Sequence, residues 1–240
     1  MAGRKKELPK EFPKEPLTSK QKWDNFWFYN TGKVVAVLIA AVLVGLYIFE
    51  LVTKEKYDTT IVYATSDYVL DDQATEIDGM LEQYMSDANG DGKVSILLDT
   101  VVLNETTTQT DPTLAQAQST KLMAAFALNE DSIFILDQGI YDSLGDSIDG
   151  AFVNLEEQYP NCDFVQGDKI MLDEFFASYG NYSSILSGMF ICQRPADNMH
   201  NYEKSEQVQA KYAAESELVR KVVEAIQTAE ADSRQVAADK

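Results

Sequence analysis

Histidine, cysteine and basic side chains are all scarce in these 240 residues. There is one histidine, His200, and there are two cysteines, Cys162 and Cys192. That supply is too small for zinc fingers, four-cysteine clusters or haem attachment, and it removes most histidine-centred catalysis. Lys and Arg number 20 against 39 Asp and Glu, a formal net charge of −19. Binding to a phosphate backbone would have to work against that field, so nucleic acid is excluded as a partner. Recurrent catalytic signatures are missing as well: G-x-S-x-G, G-x-x-x-x-G-K-[ST], G-x-G-x-x-G and H-E-x-x-H do not occur. The common hydrolase, nucleotide and metalloprotease chemistries have no local foothold, and the sequence requires no cofactor.

One stretch lacks charge altogether. Val34 to Phe49, VVAVLIAAVLVGLYIF, is 16 apolar or small residues between Lys33 and Glu50. As a helix it spans about 24 Å, slightly less than a hydrocarbon core of about 30 Å, which puts Glu50 near an interface. No polar stripe interrupts it, as a helix buried in a soluble core would require, so residues 34–53 read as a transmembrane helix. Residues 1–33 carry eight Lys/Arg and four Asp/Glu, net +4, which leaves −23 for the rest. The positive-inside rule therefore places a basic N-terminal tail in the cytoplasm and the following domain outside the cell. A cleaved signal peptide is the rival reading. Its charged region would be 33 residues long with no small-x-small site after Phe49, which favours an uncleaved anchor. Trp23 and Trp27, four apart in WDNFWFY, suit a helix face at headgroup level.

Residues 57–240 are enough for one external domain with its own core. Thr59–Ala64 (TTIVYA), Lys93–Val102 and Ser132–Leu136 (SIFIL) are expected strands. Between them Asp71/Asp72 opens a helix with Ile77, Met80, Leu81 and Met85 in phase, and Pro112 opens another with Leu114, Ala117, Leu122, Ala125 and Phe126. This β-α-β-α-β order predicts an α/β fold with a mostly parallel sheet flanked by helices. Further on, Ala151–Tyr159 is an expected short helix and Ser184–Gln193 a strand. Tyr202 to about Ala238 is expected to form a long C-terminal helix, with Val208, Tyr212, Val219, Val222 and Ile226 as one apolar stripe that Glu215 interrupts.

Three places could carry chemistry. In Asp87-Ala-Asn89-Gly-Asp91-Gly-Lys93-Val-Ser95 oxygen donors recur at alternate positions, with glycine at the sixth. This resembles the front of an EF-hand or dockerin calcium loop, but Leu98 stands where the bidentate acid belongs. The alternatives are a weak external calcium site and a polar turn between helix and strand. In open parallel sheets ligands bind beyond the carboxyl ends of the strands, which singles out Asp67 and Tyr68 after the first strand and Asp137 after the third. Cys162 and Cys192 could pair as a disulfide worth about 3 kcal/mol, or stand as two separate thiols.

The run from Ile61 to about Glu157, with KVSILLD, KLMAAFALN and SIFILD before GIYDSL and FVNLEE, resembles part of a type 2 extracellular or periplasmic solute-binding protein. It is also similar to single-pass extracytoplasmic proteins of unknown function from Gram-positive gut bacteria, many with the same NGDGKV turn. The resemblance implies ligand contact near Asp137 and the first-strand tip. The expected function is a non-enzymatic binding or accessory subunit, anchored in the cell membrane beside an envelope or membrane protein. The alternatives are a solute-binding lobe that takes a small ligand or cation, and an enzyme with an acidic site.

Overall fold

The chain divides into two units, Met1–Glu55 and Lys56–Lys240. The computed structural model describes residues 16, 18–53, 56–173, 175 and 187–238. Residues 1–15 of the expected basic tail and residues 184–186 of the expected strand lie outside the described ones.

Among its described residues the first unit holds one helix, α1 (Ser19–Thr53), 35 residues or about 52 Å long. It carries the apolar run with no share of it buried inside the protein. Val37 is 67% exposed and Phe49 66%. The aromatic segment is continuous with this helix: Trp23, Phe26 and Trp27 gather on one side with ring centroids about 6 Å apart. Among the described residues one helix, near the N-terminus, is long and apolar enough to cross a membrane.

The second unit contains β1 (Thr59–Thr65), α2 (Asp71–Leu81), β2 (Ile96–Val102), α3 (Glu105–Thr110), α4 (Pro112–Leu128), β3 (Ile133–Asp137) and α5 (Gln138–Leu144). After these come α6 (Leu155–Gln158), β4 (Val165–Gln166), β5 (Lys169–Met171), β6 (Met189–Gln193) and α7 (Glu206–Ala238). The strands form one sheet in the order β2-β1-β3-β6-β5-β4. β1 is parallel to β2 and to β3, as the β-α-β-α-β order predicts. The pairings β3–β6, β6–β5 and β5–β4 are antiparallel, so the sheet is not mostly parallel and that expectation is corrected. A parallel return needs a crossover of a dozen or more residues, usually a long helix. Beyond β3 the helical pieces α5 and α6 have 7 and 4 residues. A tight turn at Gly167-Asp168, with Gly167 at φ +63°, then doubles the chain straight back.

Side chains alternate across the sheet with period two. Ile61, Tyr63, Ile133, Ile135 and Ile191 face one layer, where Ile77 and Leu81 of α2 and Leu218, Val219 and Val222 of α7 cover them. Val62, Ala64, Phe134, Leu136, Phe190 and Cys192 face the other layer, with Leu122 of α4 and Ile140 and Leu144 of α5. β1 and β3 are central and buried on both sides, which is why they read as unbroken apolar runs.

β2 begins at Ile96 rather than at Lys93, because the preceding amides are taken by side chains: Lys93 N–H by Asp91 and Ser95 N–H by Asp58. The Thr-rich loop after β2 folds into α3, capped by Asn104, which accepts from Thr107 N–H at 2.7 Å. β2 is an edge strand, and side chains cover its outer rim. Glu82 accepts from Ile96 N–H at 3.1 Å, and Lys121 donates to the Thr100 carbonyl at 3.0 Å while pairing with Asp99.

Candidate functional site

The strand order places β2 and β3 on opposite sides of β1, so the strand order reverses between the parallel neighbours β1 and β3, the position at which open α/β sheets usually hold ligands. Asp137 stands there, at the end of β3 and at the N-cap of α5. Its Oδ1 accepts from Ile140 N–H at 2.7 Å. Its Oδ2 accepts from Ser66 N–H at 2.5 Å, Ser66 Oγ at 2.7 Å and Thr65 Oγ1 at 3.2 Å. Burial alone would raise its pKa, but the amides of Ser66 and Ile140 and the two hydroxyls hold it below the usual carboxylate value. Asp137 is therefore an anionic clamp between the β1 tip and α5, with both oxygens engaged.

Of the expected ligand residues, Asp67 and Tyr68 are not joined to Asp137. Both are exposed, Tyr68 to 75%. Ser66 and Thr65 occupy the place expected for them. Beneath the tip the Tyr63 hydroxyl is buried and has no hydrogen-bond partner among the described residues.

The Asp87–Ser95 segment is a turn closed on itself. Asp87 accepts from Gly90 N–H at 2.6 Å and from Gly92 N–H at 2.8 Å, which lowers its pKa. Asn89 accepts from Asp91 N–H, and Asp91 from Lys93 N–H, both at 2.9 Å. Gly90 and Gly92 sit at φ +75° and +85°, where a Cβ would be strained. Asp58, at the start of β1 and nearly buried, ties the turn to the sheet by accepting from the amides of Ala88, Asn89 and Ser95. Among the described residues no three His, Cys, Asp or Glu side chains are grouped so as to hold a metal ion.

Sequence reasoning passed over the opposite end of the sheet, where β1 and β3 begin. Glu215 of α7 is 0% exposed. Its carboxylate accepts from Ser132 Oγ at 2.5 Å and from Thr59 Oγ1, while Lys211 Nζ lies 3.7 Å away. Burial raises its pKa, against the pull of Lys211 and the two hydroxyls. Lys211 also donates to the Glu130 carbonyl at 3.0 Å and lies 3.9 Å from Asp131. The signal was present in the sequence, as an acid inside an apolar stripe four residues after a lysine.

Beside this network lies a half-open pocket of about 300 Å³, whose walls include Tyr57, Glu130, His200, Gln207, Val208 and Lys211. A neighbouring buried cation, Arg194, closes the C-terminus of α4. It donates to Asn129 Oδ1 and to the carbonyls of Phe126 and Asp131, with its guanidinium 5.3 Å from the Phe134 ring centroid.

The cysteines are separate thiols. Cys192 faces the α4/α5 layer, and Cys162 packs on the α2/α7 layer and accepts from Gln227 Nε2 at 3.1 Å. The sheet lies between them, which answers the disulfide expectation.

Compared with known proteins, the chain matches no family model, no curated protein and no solved structure.

Proposed function

We propose that the chain is a single-pass membrane protein whose unit 56–240 stands outside the cytoplasm and acts as a non-enzymatic binding or accessory subunit on an envelope or membrane protein. The observation that carries this reading is the outer side of α4. A solvent-facing helix normally presents charge. α4 has one charged residue, Lys121, and that one is tied down on Asp99 and Thr100. Its exposed residues include Ala117, Ala124 and Ala127, with Met123 46% and Leu128 56% exposed. In a chain of net charge −19, an uncharged helix face suits a protein partner. The Asp137 clamp supports the non-enzymatic part, because a carboxylate saturated with donors and held ionised is a poor acid and a hindered base.

The same reading takes Asp87–Ser95 as a self-sufficient turn rather than a calcium site, since its oxygens already accept backbone amides. A photoreactive side chain at position 123 of the full chain, in intact cells, should cross-link a distinct membrane or envelope protein. Ala124→Glu with Ala127→Glu should abolish the product. Absence of any protein adduct would overturn the accessory role. Ser86→Cys in a Cys162→Ser background should react with a membrane-impermeant maleimide in intact cells. Reaction only after lysis would overturn the orientation.

A further inference from the structure

The pocket at the N-terminal edge of the sheet has a charge pattern that selects a ligand. Lys211 is its one Lys or Arg, and that ammonium is spent inward. Within 4 Å it faces Glu215 and Asp131, and it donates to the Glu130 carbonyl. Asp58 is also satisfied, by three backbone amides. The Glu130 side chain is exposed at the pocket and has no hydrogen-bond or ion-pair partner among the described residues. The charge left to greet a ligand is therefore negative. Tyr57, Ala88 and Val208 supply apolar wall, and the volume of about 300 Å³ admits a short carbon chain but not a macromolecule.

We propose that this pocket binds a small organic ammonium, its charge against the Glu130 carboxylate and its carbon skeleton against Tyr57 and Val208. The site is distinct from the α4 face and does not depend on the partner proposed for it. The strand-tip carboxylates take no part, because Asp137 is committed to the clamp at the far end of the sheet.

His200 lines the pocket and is the one histidine of the chain, so its imidazole gives a single, assignable NMR signal. The test titrates the full chain in detergent micelles, labelled at histidine, with cadaverine and separately with 1,5-pentanediol, which has the same shape without the charge. Cadaverine should shift the His200 signal saturably and pentanediol should not. Glu130→Gln should weaken cadaverine binding about tenfold, the loss of one charge-assisted contact. Val208→Phe should block it by filling the cavity. No saturable shift, equal shifts from both probes, or an affinity untouched by Glu130→Gln would each overturn the proposal. Glu130 is exposed, so its replacement leaves the fold intact and the result is a statement about binding.

Discussion

Ser132 and Glu215 are 83 residues apart in the chain, and the Ser132 hydroxyl donates to the Glu215 carboxylate at 2.5 Å in a fully buried position. Thr59 donates to the other oxygen, so one carboxylate on α7 joins the entries of β1 and β3. An unpaired buried charge or donor costs more than the bond that satisfies it contributes. Glu215→Ala should therefore destabilise the protein by about 3 kcal/mol, as it strands two buried hydroxyls and takes from Lys211 one of its two carboxylate neighbours. The triple change Glu215→Leu, Thr59→Val, Ser132→Ala should recover most of that loss, since an apolar replacement leaves little unpaired. Urea unfolding of the full chain in micelles checks both. A triple variant as unstable as Glu215→Ala would show that the carboxylate is required for itself.

Asp78 of α2 gives the stability a pH dependence. Burial, reinforced by the neighbouring Glu82 carboxylate, pushes its pKa up to about 7, against the favourable Leu98 amide. The folded state then keeps a proton that the unfolded chain releases near 3.8. Stability falls as pH rises from about 4 to about 7, and the effect is complete above that range. Partial solvation limits its size to about 1 kcal/mol. Asp78→Asn should flatten this part of the profile and stabilise the protein at neutral pH. An unchanged slope between pH 4 and 7 would place the proton elsewhere.

Asp137 works in the opposite sense. Its folded pKa is lowered, so its contribution is present above the unfolded carboxylate value and is lost as pH falls through the folded one. Asp137→Ala removes an N-cap and the link to the β1 tip together, and should cost about 2 kcal/mol at neutral pH. The penalty should shrink in acid. A penalty independent of pH would mean that the clamp acts by packing rather than by charge.

The turn at Asp87–Ser95 should hold without metal. Millimolar calcium and EDTA should give the same thermal midpoint, while Asp58→Ala should lower stability by about 2 kcal/mol by freeing three amides. A rise of several degrees in calcium, lost in Asp87→Ala, would make the turn a metal site.

Much of the architecture was legible because its signals are local. TTIVYA and SIFIL are short β-branched runs, and they form two interior strands within a residue of their expected ends. The Pro112 start follows from helix-terminus chemistry, and Asp137 from its place at the end of an apolar run. The direction of β6 was not legible, because MFICQ reads the same whichever way it lies against β3. The Gly167-Asp168 turn did carry a hairpin signal, but strands of two and three residues are too short to show alternation. At the site, Asp137 stands at the strand tip where it was expected, and its hydrogen bonds to Ser66 and Ile140 were not foreseen. An acid beyond a strand reads as a ligand contact as long as its partners, here Ser66 and Ile140, are unknown. Glu215 was visible as an interruption of the α7 stripe, but its partners were not, since Thr59 and Ser132 come from distant parts of the chain.

On the proposed membrane-anchored reading, the side chains on the rim of β2 bear on life in two dimensions. Copies tethered to one bilayer cannot dilute away from each other, and any bare strand edge would meet its like at every lateral encounter. With Ile96 N–H engaged by Glu82 and the Thr100 carbonyl by Lys121, a strand approaching this edge has to displace both side chains before it can pair. On the proposed anchored reading, crowding in the plane of the membrane brings copies against a guarded edge at β2.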